Sequence, residues 1–234
     1  MDAVQLERSR EDFRAWLRGP SSYLAAVARE ELPVGRAVEL HGHRIEATST
    51  GFIVDGASSA PRTIDSGRYR LRLSHQNAPA IVVLDGEAPK ASVDPQWFPH
   101  DPALRFAVPL ERDKTRRTIR STRAQDRDSL RVGWLTFTID GTRCRLAVDQ
   151  LLEPGGDSLS AFFRDATTGR ETYEVGRYVD LEREGDQYVL DFNRAYNPAC
   201  AYSPFYNCPI PPPENQLAVA IRAGEMTPNR AEAH

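Results

Sequence analysis

From Ala37 onward the apolar residues fall on every second position, in short runs broken by turn dipeptides, and that period of two is the strongest constraint on what this chain can become. Tyr69, Leu71 and Leu73 alternate with Arg68, Arg70 and Arg72; Leu135, Phe137 and Ile139 alternate with Thr136 and Thr138; Cys144, Leu146 and Val148 alternate with Arg143 and Arg145. Each run makes a strand with one apolar and one wet face. Asp140-Gly141, between the second and third runs, is the dipeptide of a tight type I′ hairpin, and Cys144 then belongs to a core face. Further strands are predicted over Ser158–Arg164, Thr172–Val179, Gln187–Phe192 and Gln216–Ile221. The fold class is mainly β: an antiparallel sandwich or barrel-like domain with one or two N-terminal helices.

The helices come first. Val4, Leu6, Phe13, Trp16 and Leu17 are spaced for one amphipathic helix from about Asp2 to Arg18, closed by Gly19-Pro20. Tyr23 to Ala28 is predicted as a short second helix, with Ser21 and Ser22 offering an N-cap, stopped before Pro33 and Gly35. Trp16 and Tyr23 are read as docking aromatics rather than ligand-stacking ones. Residues 1–30 are accordingly a helical segment packed on the body, and 31–234 a single mainly β domain. The arginine-rich interval Glu111–Asp128 is read as a charged edge hairpin around Thr115–Ser121, not as an interdomain linker.

A chain of 234 residues, 40% of them hydrophobic, suffices for a sizeable core. Its net charge of −3 offers no basic field, and the Glu111–Asp128 arginines lack interleaved aromatics, so no nucleic-acid partner is expected. No apolar run approaches the ~20 residues of a membrane span, which argues against a membrane partner. The N-terminus has no apolar signal region, and three cysteines are too few for a secreted disulfide framework, so a cytoplasmic location is expected. Phosphate loops, dinucleotide fingerprints, nucleophile elbows and Cys-x-x-Cys pairs are absent from the sequence. His41-Gly42-His43 has the spacing of two metal ligands on a strand, but the central glycine makes a hairpin tip the better reading, and no metal site is assigned.

The stretch Asp191–Asn215, DFNRAYNPACAYSPFYNCPIPPPEN, is the most distinctive in the chain. Its prolines exclude a helix interior or a central strand, while Tyr196, Tyr202, Phe205 and Tyr206 gain by burial, so it is a shaped loop held against the scaffold. Cys200 and Cys208 within it pair with each other, share a metal with a distant residue, or fill the loop interior; the sequence leaves all three open.

Several of these residues carry a resemblance. Phe162-Phe163-Arg164-Asp165 with Thr168-Gly169, Glu171-Thr172-Tyr173 with Gly176-Arg177-Tyr178, and Asp191-Phe192-Asn193 through Asn215 resemble the C-terminal signature of the domain of unknown function 1684 family. Trp97-Phe98-Pro99 with Asp101 and Arg105 resembles that family's upstream segment, and the N-terminal half matches more loosely. The resemblance implies a bacterial or archaeal protein and brings no transferable activity. It directs attention to Arg177, Asp191, Asn193, Tyr196, Asn197, Cys200, Cys208 and Asn215.

These residues suggest a pocket for a small anionic or polar ligand. Arg177 offers a fork of donors, Asp191 accepts or relays a proton, and Asn193, Asn197 and Asn215 supply neutral donor and acceptor pairs. Tyr196 gives an apolar wall, and Arg177 and Asp191 are expected to converge on it as catalytic groups. The competing reading makes Arg177 and Asp191 a structural ion pair and the Asx residues loop staples. Three functions fit such a pocket: an enzyme with Arg177 and Asp191, and Cys200 or Cys208 as nucleophile; a non-catalytic ligand-binding or protein-interaction module; and a flavin or other cofactor protein on a β-barrel. The sequence names no cofactor, oligomeric state or substrate.

Overall fold

The computed structural model describes residues 3–75, 79–88, 93–153 and 156–230. The chain opens with helix α1 (Ala3–Leu17), whose buried residues Leu6, Arg10 and Leu17 recur at helical spacing, while Val4 and Trp16 face outward. The helix ends as expected at Gly19, whose N–H bonds the Trp16 carbonyl at 2.8 Å; Asp2, where it was predicted to start, lies outside the described residues. The predicted second helix is not formed. Tyr23–Ala25 is a single 3-10 turn, and the chain leaves it directly into strand β1 (Ala26–Glu31).

An open four-stranded sheet follows, made of β2 (Ala37–Leu40), β3 (His43–Ala47), β4 (Phe52–Val54) and β5 (Ala57–Ser59). Its first hairpin turns at His41-Gly42 with φ of 46° and 85°, the tip expected from the glycine. The next three strands are β6 (Thr63–Ser66), β7 (Tyr69–His75) and β8 (Pro79–Asp85), and they form a second sheet in the order β1-β8-β7-β6. Strand β8 is buried at every position and so needs a neighbour on both sides. Pairing with β8 takes Ala26–Glu31 as a strand, and this tertiary demand overrides the weak local helix preference of Ala25, Ala26 and Ala28.

The short β9 (Val93–Asp94) precedes β10 (Arg105–Val108) and β11 (Leu110–Ile119), and β11 turns into the long β12 (Arg127–Ile139) and β13 (Thr142–Leu151). The arginine-rich interval is thus an edge hairpin, β11 lying at the border of a five-stranded sheet in which β13 is followed by β14 (Ser160–Phe163) and β15 (Arg177–Asp180). Asp140 and Gly141 both adopt positive φ, 48° and 75°, as the type I′ turn requires. Strand β17 (Gln187–Asp191) pairs with β10 on one side and with β16 (Glu182–Glu184) on the other, and β18 (Asn229–Arg230) pairs with β9. The described strands that form these sheets pair antiparallel, and none of the sheets closes into a barrel.

Two of the predicted strands differ. Only Arg177–Val179 of the Thr172–Val179 prediction is extended sheet; Thr172 instead closes a loop with Thr168, and Gly176 (φ 115°) ends it. Gln216–Ile221 forms no regular strand: Gln216 makes an isolated parallel bridge to Arg164, the Leu217 N–H bonds the Arg164 carbonyl at 2.8 Å and the Val219 carbonyl accepts from the Ala166 N–H at 2.9 Å, and at Ile221 side chains take over, its N–H donating to Asp165 Oδ2 at 2.6 Å and its carbonyl accepting from Arg177 Nη2 at 2.8 Å. The apolar faces gather in two main clusters. One holds Leu32, Ile45, Phe52, Leu71 and Ile81; the other holds Leu135, Leu146, Phe163, Leu190 and Phe192, with Cys144 among them as expected.

Candidate functional site

The Asp191–Asn215 loop starts with a polar scaffold built at its first turn. Asp191 caps the turn Phe192–Arg194, its Oδ1 accepting from the Asn193 N–H (3.1 Å) and from Asn193 Nδ2 (2.9 Å). Asn193 also clasps the backbone of Asp101, accepting from its N–H and donating to its carbonyl, both at 2.8 Å. The turn is then tied to β15: Tyr178 and Tyr196 exchange two backbone hydrogen bonds of 2.9 Å. The Tyr196 hydroxyl donates to Asp180 at 3.2 Å.

A second segment, residues 221–226, is threaded against this turn by Arg177. That side chain is 1% exposed and donates to the carbonyls of Ala223 (2.5 Å), Ile221 (2.8 Å) and Glu225 (3.2 Å) and to Asp165 (3.4 Å). Burial pulls the guanidinium down to about 10, against the opposing charge of Asp165, so it stays a cation at neutral pH. Gly224 brings the segment into contact. With φ of 73° it lets Glu225 N–H reach the Ala195 carbonyl (2.8 Å), and a Cβ there would meet Ala195 O at 2.5 Å and Phe192 O at 2.6 Å. On the other side, Phe98 N–H bonds Gly224 O at 3.0 Å and Met226 N–H bonds Gln96 O at 2.8 Å, which sets Trp97 beside Glu225.

These constraints leave a cavity of about 310 Å³ beneath α1, walled by Phe13, Tyr23, Trp97 and Tyr196 and edged by Arg10 and Asn193. Glu225 and Asn197 also line it, 2% and 3% exposed. The Asn197 N–H donates to Glu225 Oε2 at 2.5 Å, and Asn197 Nδ2 donates to the Met226 carbonyl at 2.7 Å. Glu225 Oε1 and Asn197 Oδ1 have no hydrogen-bond partner among the described residues. Burial raises the Glu225 carboxyl to about 8, against the hydrogen bonds of Asn197 and the charge of Arg177, so the side chain carries its proton near neutral pH.

The nominated residues therefore divide. Asn193, Tyr196 and Asn197 line the cavity. Arg177 and Asp191 do not converge: Asp191 serves Asn193, while Arg177 serves Asp165 and three carbonyls, so both stand behind the cavity wall as supports. Asn215 lies elsewhere, clamping β13 to β14 by bonding Ala147 N and O and Phe162 O at 2.7–3.0 Å. Cys200 and Cys208 sit together further along the loop, outside the cavity lining, with Cys200 N–H 3.3 Å from Cys208 Sγ. His43 bonds Asp55 and His41 stacks on Tyr69. Among the described residues no group of three or more His, Cys, Asp or Glu side chains is placed to hold a metal ion. Sequence reasoning missed Glu225, Gly224 and Arg10; the only local signal was a Gly-Glu pair in a segment without periodicity.

The fold and site define a mainly β protein with a small aromatic-walled cavity over a buried carboxyl. A family model described as "Protein of unknown function (DUF1684)" matches residues 94–226, and the chain belongs to that family. The matched span contains Trp97, Asn193, Asn197 and Glu225, whereas the α1 side of the cavity lies before it. Among solved structures, the solution NMR structure of an uncharacterised protein of Haloarcula marismortui is 35% identical, covering 57% of this chain and 76% of that one, with a TM-score of 0.47. No curated protein matches the chain.

Proposed function

We propose that the cavity beneath α1 binds a small polar molecule that hydrogen-bonds to the protonated Glu225 carboxyl, presents a donor to Asn197 Oδ1 and rests an apolar body against Phe13, Tyr23 and Trp97. The observation that carries this reading is the pair of partnerless oxygens, Glu225 Oε1 and Asn197 Oδ1, on buried side chains that line one concavity. A buried polar group left unpaired costs about 1–3 kcal/mol, and a ligand that pairs both removes that cost. The volume, about 310 Å³, lies at the small end of the ~300–1,000 Å³ of ligand cavities and limits the occupant to a compact molecule. Arg177, on which the expectation of an anionic ligand rested, is already bonded to carbonyls and Asp165; the guanidinium groups that line the cavity are those of Arg10 and Arg194.

A second reading, an enzyme, is favoured by one observation. A carboxyl raised to about 8 in a cleft is poised to give a proton to a bound substrate or take one from it. Both readings are tested together by thermal-shift screening of polar metabolites at neutral pH on the unaltered protein, Glu225→Gln and Glu225→Ala. Glu225→Gln keeps the shape and neutrality, so binding persists, while turnover, where the ligand is a substrate, is lost. Glu225→Ala abolishes the shift. Ligands whose shifts survive both Glu225→Ala and Phe13→Ala bind elsewhere and sink the proposal.

A further inference from the structure

The two cysteines of the loop make a unit with an inside and an outside member. Cys208 is 5% exposed and fixed by its backbone: its N–H donates to Thr122 Oγ1 and its carbonyl accepts from the Thr122 N–H, both at 3.0 Å, while Pro209 bridges to Ser121. Cys200 is half-buried, on the turn Ala199–Ala201, and directs its N–H at the Cys208 sulfur, 3.3 Å away. The Tyr173 hydroxyl is shared between Cys200 Sγ at 3.8 Å and Cys200 O at 3.3 Å. Neither is in a disulfide. Cys144, by contrast, lies in a core strand away from both.

We propose that Cys200 and Cys208 form a reversible redox site, with Cys200 the thiol attacked by an external hydroperoxide and Cys208 the thiol that resolves it into an intramolecular disulfide. The accessible sulfur meets the oxidant and the sheltered one can reach only its neighbour. Their protonation preferences agree with these roles: hydrogen bonding from Cys208, and then from Tyr173 and Thr122, holds the Cys200 thiol below its ordinary range against burial, while Cys208 is pushed up by its bond with Cys200 and by burial. In the first step the Cys200 thiolate attacks the terminal oxygen of the hydroperoxide, the O–O bond breaks, and the alkoxide or hydroxide leaves as alcohol or water after taking a proton. Cys200 becomes a sulfenic acid. Cys208 then attacks the Cys200 sulfur, the S–O bond breaks and water leaves with the Cys208 proton; the two thiols have given two electrons to the peroxide. A dithiol reductant reverses the bond by exchange.

The test is peptide mapping of the reduced full chain after treatment with equimolar hydrogen peroxide. The expected product has lost two hydrogens, carries a Cys200–Cys208 linkage, regains its mass with dithiothreitol, and keeps Cys144 as a free thiol. Cys208→Ser is expected to stop at a Cys200 sulfenic acid that a 1,3-dione traps, and Cys200→Ser to leave Cys208 unmodified. Mapping of the unaltered protein decides the matter even where a variant fails to fold. Oxidation of Cys200 directly to a sulfinic acid without linkage, faster modification of Cys144, or no reaction at all overturns the proposal.

Discussion

Arg177 is the side chain whose chemistry reaches furthest. It holds three carbonyls of the 221–225 segment and Asp165 in a site closed to water, so removing it strands a buried carboxylate and three acceptors together. Arg177→Met should lower unfolding stability by ~3–5 kcal/mol in urea titration, and Arg177→Lys should recover only part, since an ammonium lacks the planar fork. A loss below ~1 kcal/mol would contradict a structural role of this kind. Glu225 makes the matching pH prediction. Its folded value, about 8, stands above the ~4.3 of an unfolded chain, so through that interval the folded protein binds the extra proton and stability falls as pH rises. Of the groups that face it, Arg177 titrates near 10 and Tyr23 is raised above its ordinary value by burial, so neither changes charge in that window. Melting temperature should decline from about pH 5 to about pH 8 and level off, and Glu225→Gln should flatten the decline. An unaltered protein with the same slope as the variant would remove the case for a raised carboxyl.

Among the elements, the tight turn at Gly224 decides whether the cavity has a floor. Gly224→Ala adds left-handed strain, ~1–3 kcal/mol, to a clash with the carbonyls of Ala195 and Phe192, and it should therefore lower stability by at least that amount and abolish the ligand shifts that depend on Glu225. Stability loss with ligand shifts unchanged would separate the turn from the site. This element also shows what can be read from a one-dimensional pattern. Strands β7, β12 and β13 announce themselves because each buries one face and their hydrogen bonds go to neighbouring strands. The 216–227 segment is silent because its backbone partners are scattered over Gln96, Arg164–Ala166, Glu171, Arg177 and Ala195, dozens of residues earlier, and form no regular ladder. Tyr23–Ala28 misleads for a related reason: its strand pairing is imposed by β8, a partner that local preference does not see. Asn193, Tyr196 and Asn197 were legible as lining of the candidate cavity since polar and aromatic side chains in a proline-fixed loop need partners; Glu225 was not, as nothing local distinguishes a buried glutamate from a solvated one.

At the scale of the molecule, the loop that the prolines shape packs on the β1-β8-β7-β6 sheet through a small apolar cluster of its own. Phe205 and Tyr206 pack on Ala25, Ala26, Val82 and Leu84, Arg72 donates to the Tyr206 hydroxyl at 2.8 Å, and Gln125 reaches Glu31 at 3.1 Å. We therefore expect residues 31–234 to unfold as one cooperative unit, with tryptophan fluorescence and far-UV circular dichroism giving coincident transitions. Phe205→Ala with Tyr206→Ala should pull the two probes apart; separate transitions in the unaltered protein would mean that this packing does not couple the loop to the sheet. The same geometry has a consequence for how the protein is made. The cavity takes Arg10 and Phe13 from near one end of the sequence and Glu225 from near the other. On the ribosome the aromatic side of α1 therefore emerges long before the segment that covers it, and the guanidinium of Arg177 emerges ahead of the carbonyls it holds. Between the synthesis of Phe13 and that of Glu225 the nascent chain carries a greasy helix face without its counterpart. The cavity comes into being only when the Ile221–Met226 segment is seated.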